Sequence, residues 1–339
     1  MTAEWQHVAA RFHSFVSQLE PTPNERYAIW KAAMDVGALL TRRFYRPAFD
    51  PSPTVGELVA IGSHGKGTAL RGSRTADVMF VLPDRLQSQM IASDSDSEQP
   101  GGTDAMLPPL VRDIIALLHN RYGAVRTSPD GAVTVTTDIA VDGERLSIRI
   151  LPCFTYNQSY FVATRANARN QEYWSNFDPL AEAKNLDRID TATGGKARHL
   201  IRMLKAWRRT AGAPIASLAV ERLACEFLRV WIYQRRSALF YDWMVRDFFF
   251  WLTAQTGRTL YVPGSHEGLV LGDVWLASAE AAHATAAEAS DLERDNRNDQ
   301  ALVRWRKIFG LAFGGNSLPP PPPAASCRLP PWKTLPMTG

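Results

Sequence analysis

Apolar side chains recur at helical spacing near both ends of the chain and at strand spacing in between. Trp5, Val8, Phe12, Phe15 and Leu19 fall three or four positions apart, which predicts an amphipathic helix over 4–20. A second helix is expected over 24–46, stopped by Pro47 and the FDPSP segment. ELVAI (57–61) reads as a short strand, and DVMFVL (77–82) as a strand apolar on both faces and therefore buried. Residues 84–107, rich in Ser, Asp, Gly and Pro, predict a loop, and 110–122 a helix. AVTVTTDIAV (132–141) and RLSIRIL (145–151), joined by DGE, predict a hairpin.

Beyond Pro152 the pattern changes. From Trp174 to Phe313 the strong periods are helical, at 196–209, 217–236, 240–255, 273–290 and 297–309. The last stretch, SLPPPPPAASCRLPPWKTLPMTG, carries too much proline for a core and predicts an extended tail. The expected fold class is α+β: a small mixed sheet with flanking helices, then a helical domain. The expected division is 1–165 for the sheet-bearing core with the N-terminal helices, 166–315 for the helical domain and 316–339 for the tail.

Composition narrows this picture only slightly. With 339 residues, 45% apolar and 21% charged, the chain is an ordinary globular one. No apolar run is long enough to span a membrane, and the first residues lack the layout of a secretory signal. Cys153, Cys225 and Cys327 are widely spaced with no CxxC pair, which argues against a disulfide scaffold or a zinc site and predicts a cytoplasmic protein. The net charge of +4 matters less than its placement. Residues 196–209 hold six Lys or Arg and no acid, a local basic stripe and a candidate anion site.

The stretch IGSHGKGTALRGSRTADVMFVLP (61–83) concentrates the candidate chemistry. Gly62-Ser63 follows a strand; Gly65 and Gly67 allow backbone amides to approach a phosphate; Lys66 adds a point charge; Ser63 and Thr68 add hydroxyl donors. Together with the TAD at 75–77, RLSIRILPCF (145–154), YWSNFDP (173–179), HLIRMLKAW (199–207), IASLAVERL (215–223) and VRWRKIFGLAF (303–313), it resembles the bacterial CD-NTases, the cyclic GMP-AMP synthase and oligoadenylate synthase relatives of the DNA polymerase beta-like nucleotidyltransferases. The resemblance covers about residues 25–313. It implies a Gly-Ser turn, a Gly-Thr pair, an Asp-x-Asp opening a strand and a third acid on a neighbouring strand.

The departures from that pattern are specific. The register that continues the strand after Asp77 puts Thr75 at the first aspartate position, Asp77 at the second and Arg149 at the third. The family's chemistry uses two magnesium ions held by carboxylates and phosphates, and one aspartate cannot bridge two ions. Magnesium is therefore expected only with a bound triphosphate, with Asp77 as its one protein ligand. Arg149 either pairs with Asp77 or Asp138, points to solvent, or grips phosphate where a metal would sit.

Arg198, Arg202, Lys205 and Arg209 share one face of the 196–209 helix, opposite Leu200, Ile201, Leu204 and Trp207. The resemblance implies that Lys205 reaches a nucleotide triphosphate, which makes Gly62, Ser63, Lys66, Thr68, Arg149, Arg198, Arg202 and Lys205 the expected phosphate-binding set. The aromatics of 240–251 are expected in the core rather than as a base-stacking platform, and His64 and His119 form no ligand cluster.

Three functions fit these residues. The first is a degenerate nucleotidyltransferase that binds nucleotide, cyclic oligonucleotide or RNA through a basic cleft without transferring anything, in a setting of anti-phage defence implied by the resemblance. The second is a working cyclic di- or oligonucleotide synthase with Asp77 joined by Asp138 or Asp142. The third is an interaction protein with a vestigial cleft, whose tail, through Pro319 to Pro323 or a conjugated Gly339, engages a protein partner.

Overall fold

The computed structural model describes residues 6–45, 58–87, 108–128, 131–156, 159–163, 174–176, 178–236, 240–264 and 268–315. The tail, the greater part of the 84–107 loop, and Tyr173 and Phe177 of the YWSNFDP motif lie outside the described residues. The chain divides into two compact units. One comprises 22–67 and 72–180, the other 1–21, 68–71 and 181–327.

The first unit is built on a mixed sheet. Its strands are β1 (Leu58–Ile61), β2 (Thr75–Val81), β3 (Val125–Thr127), β4 (Val133–Val141), β5 (Glu144–Tyr156), β6 (Ser159–Ala163) and β7 (Trp174–Asn176), in the order β1-β2-β5-β4-β3 with β6 and β7 added beyond β5. β2 and β5 run parallel and their neighbours antiparallel. The parallel pairing sets Thr75 beside Ser147 and Asp77 beside Arg149. Between β4 and β5 the chain turns through Asp142 and Gly143, both at positive φ, as a two-residue hairpin with inward-matching twist requires. Glu144 is thus already in the strand.

Helix α1 (Gln6–Leu19) belongs to the other unit, whereas α2 (Pro23–Phe44) and α4 (Pro109–Tyr122) belong to this one. Thr22 caps α2 in a capping box with Glu25, the Thr22 hydroxyl accepting from Glu25 N–H and the Glu25 carboxylate accepting from Thr22 N–H. Ile29, Val36 and Leu40 of α2 and Val111, Ile114 and Leu118 of α4 bury their apolar stripes in one cluster with Val78, Phe80, Ile148 and Ile150 of the sheet. DVMFVL is buried as expected, because β2 is an interior strand with side chains packed on both faces.

The second unit is helical: α1, α5 (Pro179–Ala192, begun in the sheet unit), α6 (Lys196–Thr210), α7 (Ser217–Val230), α8 (Tyr241–Thr253), α9 (Leu276–Arg294) and α10 (Asn298–Phe309). Phe12 of α1 meets Trp305 of α10 and Phe313 edge-on, each at 5.0 Å between ring centres, and Phe15 meets Phe309 at the same distance. These contacts place α1 with the helices, so the N-terminal helices do not all join the sheet-bearing core as the 1–165 division expected. A small antiparallel hairpin, β8 (Thr259–Tyr261) with β9 (Gly268–Val270), interrupts the helical series.

Candidate functional site

The turn after β1 is a single turn of helix, α3 (Gly62–Gly65). Gly62 has φ +61, and a Cβ there would lie 2.2 Å from Oδ2 of Asp77. Glycine is needed twice over, for the backbone angle and for the room that the Asp77 carboxylate occupies. A Cβ on Gly65 would meet the Ala60 carbonyl at 2.4 Å, so Gly65 lets the turn fold back on β1. Gly67 also has positive φ. Ser63 is partly exposed and Lys66 is buried.

Across the strand pair, Arg149 donates from Nη1 to Oδ1 of Asp77 at 3.1 Å, with the two side chains 25% and 26% exposed. Of the options left open for Arg149, the structure therefore shows the pairing with Asp77. Thr75 lies on the same face of β2, two residues before Asp77, and brings a hydroxyl. The nearby strand residue Ser147 exchanges a hydrogen bond with Thr136. The alternative acids are engaged elsewhere: Asp138 pairs with Arg121 on α4, and Asp142 pairs with Arg74. Among the described residues no three of His, Cys, Asp and Glu gather into a metal-holding set. One aspartate bound to a guanidinium does not fit a two-magnesium site.

In the helical unit the basic stripe of α6 has acids of its own. Lys205 Nζ lies 2.5 Å from Glu221 Oε1 and donates to Thr68 O and Oγ1 at 3.0 and 3.1 Å; the Thr68 hydroxyl in turn donates to Glu221 at 2.9 Å. Thr68, Lys205 and Glu221 are all buried. Arg202 pairs with Glu20 at 2.7 Å, and Arg198 pairs with Asp187 and Asp190. Leu200, Ile201, Leu204 and Trp207 form the apolar side as expected, but Lys196, Arg202 and Lys205 are buried too. The helix is enclosed over most of its length, and Arg198, Arg202 and Lys205 meet their acids inside the unit. Arg209 is exposed at its end.

Glu221 is the residue that sequence reasoning missed. An acid among the apolar positions of SLAVERLACEF was the available signal, since a charge on a buried face demands a partner. The aromatics of 240–251 divide. Tyr241, Phe248 and Phe249 are core residues, Phe240, Trp243 and Trp251 pack at its edge, and Phe250 is 66% exposed.

The chain matches no protein-family model and no curated protein. Solved structures do resemble it. CdnC of E. coli MS115-1, solved with ATP, shares 16% identity over 91% of this chain and 98% of its own, with a TM-score of 0.58. DncV of Vibrio cholerae, bound to 3'-deoxy ATP, shares 13% over 88% and 92%, at 0.63. The STING-associated CdnE c-di-GMP synthase of Capnocytophaga granulosa shares 12% over 83% and 85%, at 0.58. The α+β fold with a mixed sheet, flanking helices and a helical unit is the fold of these proteins.

Proposed function

We propose that this chain, which has the fold of the CD-NTases, is a degenerate member of that group that binds nucleotide or cyclic oligonucleotide without joining nucleotides. The observation that carries this reading is the Asp77–Arg149 pair. In support of it, the Arg149 guanidinium pairs with Asp77 across the parallel strands β2 and β5, and Thr75 stands where the resemblance puts the other acid. A guanidinium supplies positive charge to a phosphate without dehydrating a metal, and the Gly62-Ser63 turn with Lys66 supplies the approach. Magnesium enters, on this reading, only with the phosphates of a bound triphosphate. A role in nucleotide signalling of bacterial anti-phage defence follows from the same likeness.

The test is incubation with all four labelled nucleoside triphosphates and Mg2+ or Mn2+, beside binding of ATP and cyclic dinucleotides with and without chelator. No phosphodiester product, and binding that survives chelation but weakens at least about tenfold in Arg149→Ala, is the expected result, a loss of about 1.4 kcal/mol. Product that disappears in Asp77→Ala would establish a synthase instead. Absence of any binding would leave the fold serving an interaction, the role in which the tail would matter.

A further inference from the structure

Arg198 and Arg202 of α6 face acids of their own, whereas a set on and around the α7–α8 connection does not. Among the described residues no carboxylate pairs with Arg229, Arg235 or Arg236; Arg229 donates to the side-chain amide oxygen of Asn185. Arg235 and Arg236 are exposed. Beside them Tyr233, Phe240 and Trp243 form a contiguous aromatic cluster at the edge of the helical core. Tyr233 lies parallel to Phe240, and Trp243 meets both rings edge-on at 5.4 and 5.1 Å. Arg236 sits over the Phe240 ring at 5.7 Å and Arg246 over Trp243 at 5.5 Å, the latter also paired with Asp247. Ile232, 81% exposed, extends the same segment.

We propose that this aromatic and arginine surface of the helical unit binds a single-stranded polynucleotide. The charge complementarity is the first reason. Three arginines without acidic partners suit a chain of phosphates, whereas a neutral or proline-rich peptide would leave them unmatched. The second is the mixture. Guanidinium planes and partly exposed ring edges side by side offer contacts to unpaired bases, which a duplex keeps inside its own stack. The surface lies outside the residues assigned to the nucleotide site, so the two proposals fail separately.

Fluorescence anisotropy of a labelled oligouridylate, titrated with the full chain at several salt concentrations, tests it. The double substitution Arg235→Glu with Arg236→Glu changes only exposed side chains. It is expected to weaken binding at least about tenfold and to flatten the logarithmic salt slope by roughly 1.4, the value for two phosphate contacts on a single strand. Phe240→Leu keeps the apolar volume and is expected to weaken binding about fivefold or more, within the range of one lost stacked base. Arg209→Glu with Lys307→Glu serves as a charge control and should change affinity less than about twofold. No binding of the wild type at low salt overturns the proposal. So does equal weakening by the control pair, which would mark diffuse electrostatic attraction, or equal affinity for a duplex. Binding of an acidic peptide in preference to the oligonucleotide overturns it in favour of a protein partner.

Discussion

Lys205 has three protons to donate, and Glu221, the Thr68 carbonyl and the Thr68 hydroxyl all lie within reach of them. A phosphate reaching for this ammonium would have to displace one of these, so the group acts first as a strut between α6, α7 and the 68–71 segment. Removing one partner of a buried pair strands the other charge, at a cost of about 3–5 kcal/mol, whereas replacing both with apolar groups is far milder. Urea unfolding of Lys205→Met, Glu221→Leu and the double variant is therefore expected to show strong coupling, the double losing much less than the sum of the singles. Additive losses would mean that the pair contributes little. The residue pattern explains why this was only half legible. The chain announces Lys205 and its helix face, and Arg149 before ILP. It does not announce which acid meets which base, because partners can stand far apart in sequence: Arg202 and Glu20 are 182 positions apart, and Arg149 and Asp77 are 72 apart.

At the scale of elements, α8, α9 and α10 enclose a pair of carboxyls. Asp242, in the first turn of α8, is buried, and neither of its oxygens has a hydrogen-bond partner of normal geometry; Glu293, at the end of α9, accepts from the Trp305 indole at 2.9 Å. Burial pushes Asp242 up to about 7, partly opposed by the Trp243 amide and Arg246. Burial, then the Asp242 charge, pushes Glu293 up to about 8, opposed by the Trp305 hydrogen bond and Arg11. Both pKa values are higher folded than unfolded, so the unfolded chain releases these protons first and stability falls as pH rises from the ordinary carboxylate range to about pH 8. Each carboxyl costs up to about 1.4 kcal/mol per pH unit within its window. Urea midpoints for Asp242→Asn with Glu293→Gln, which keeps an acceptor for Trp305, are expected to exceed the wild type at pH 8 and converge with it near pH 4. A wild-type midpoint constant from pH 5 to 8 would refute this. Long elements such as α2, α6 and α8 were readable from their periods. The strands β3, β6, β7, β8 and β9 were not, because three to five residues carry no period and their pairing is decided by neighbouring strands.

At the scale of the whole molecule, the helical unit draws on three separate stretches of chain: 1–21, 68–71 and 181–327. Arg71 joins its stretch to α1, its amide donating to Leu19 O at 2.7 Å and its guanidinium to Glu20 O and Ser17 O. A fragment of 181–315 lacks Phe12 and Phe15, and each buried phenylalanine contributes about 3–5 kcal/mol when truncated to alanine. Expressed alone, that fragment is expected to unfold below the temperature of the intact chain or to aggregate. Fusing residues 6–21 ahead of it through a flexible linker should restore a cooperative thermal transition. A fragment as stable as the full chain would show that α1 is dispensable.

The same arrangement sets a schedule for the newborn chain. α1 leaves the ribosome well before the rings it packs against, Trp305, Phe309 and Phe313, which come almost three hundred residues later. At about 5–20 residues per second, that helix spends roughly 15 to 60 seconds with Phe12 and Phe15 unsheltered while the sheet unit is made. That long-unsheltered stripe of α1 is the natural foothold for a chaperone.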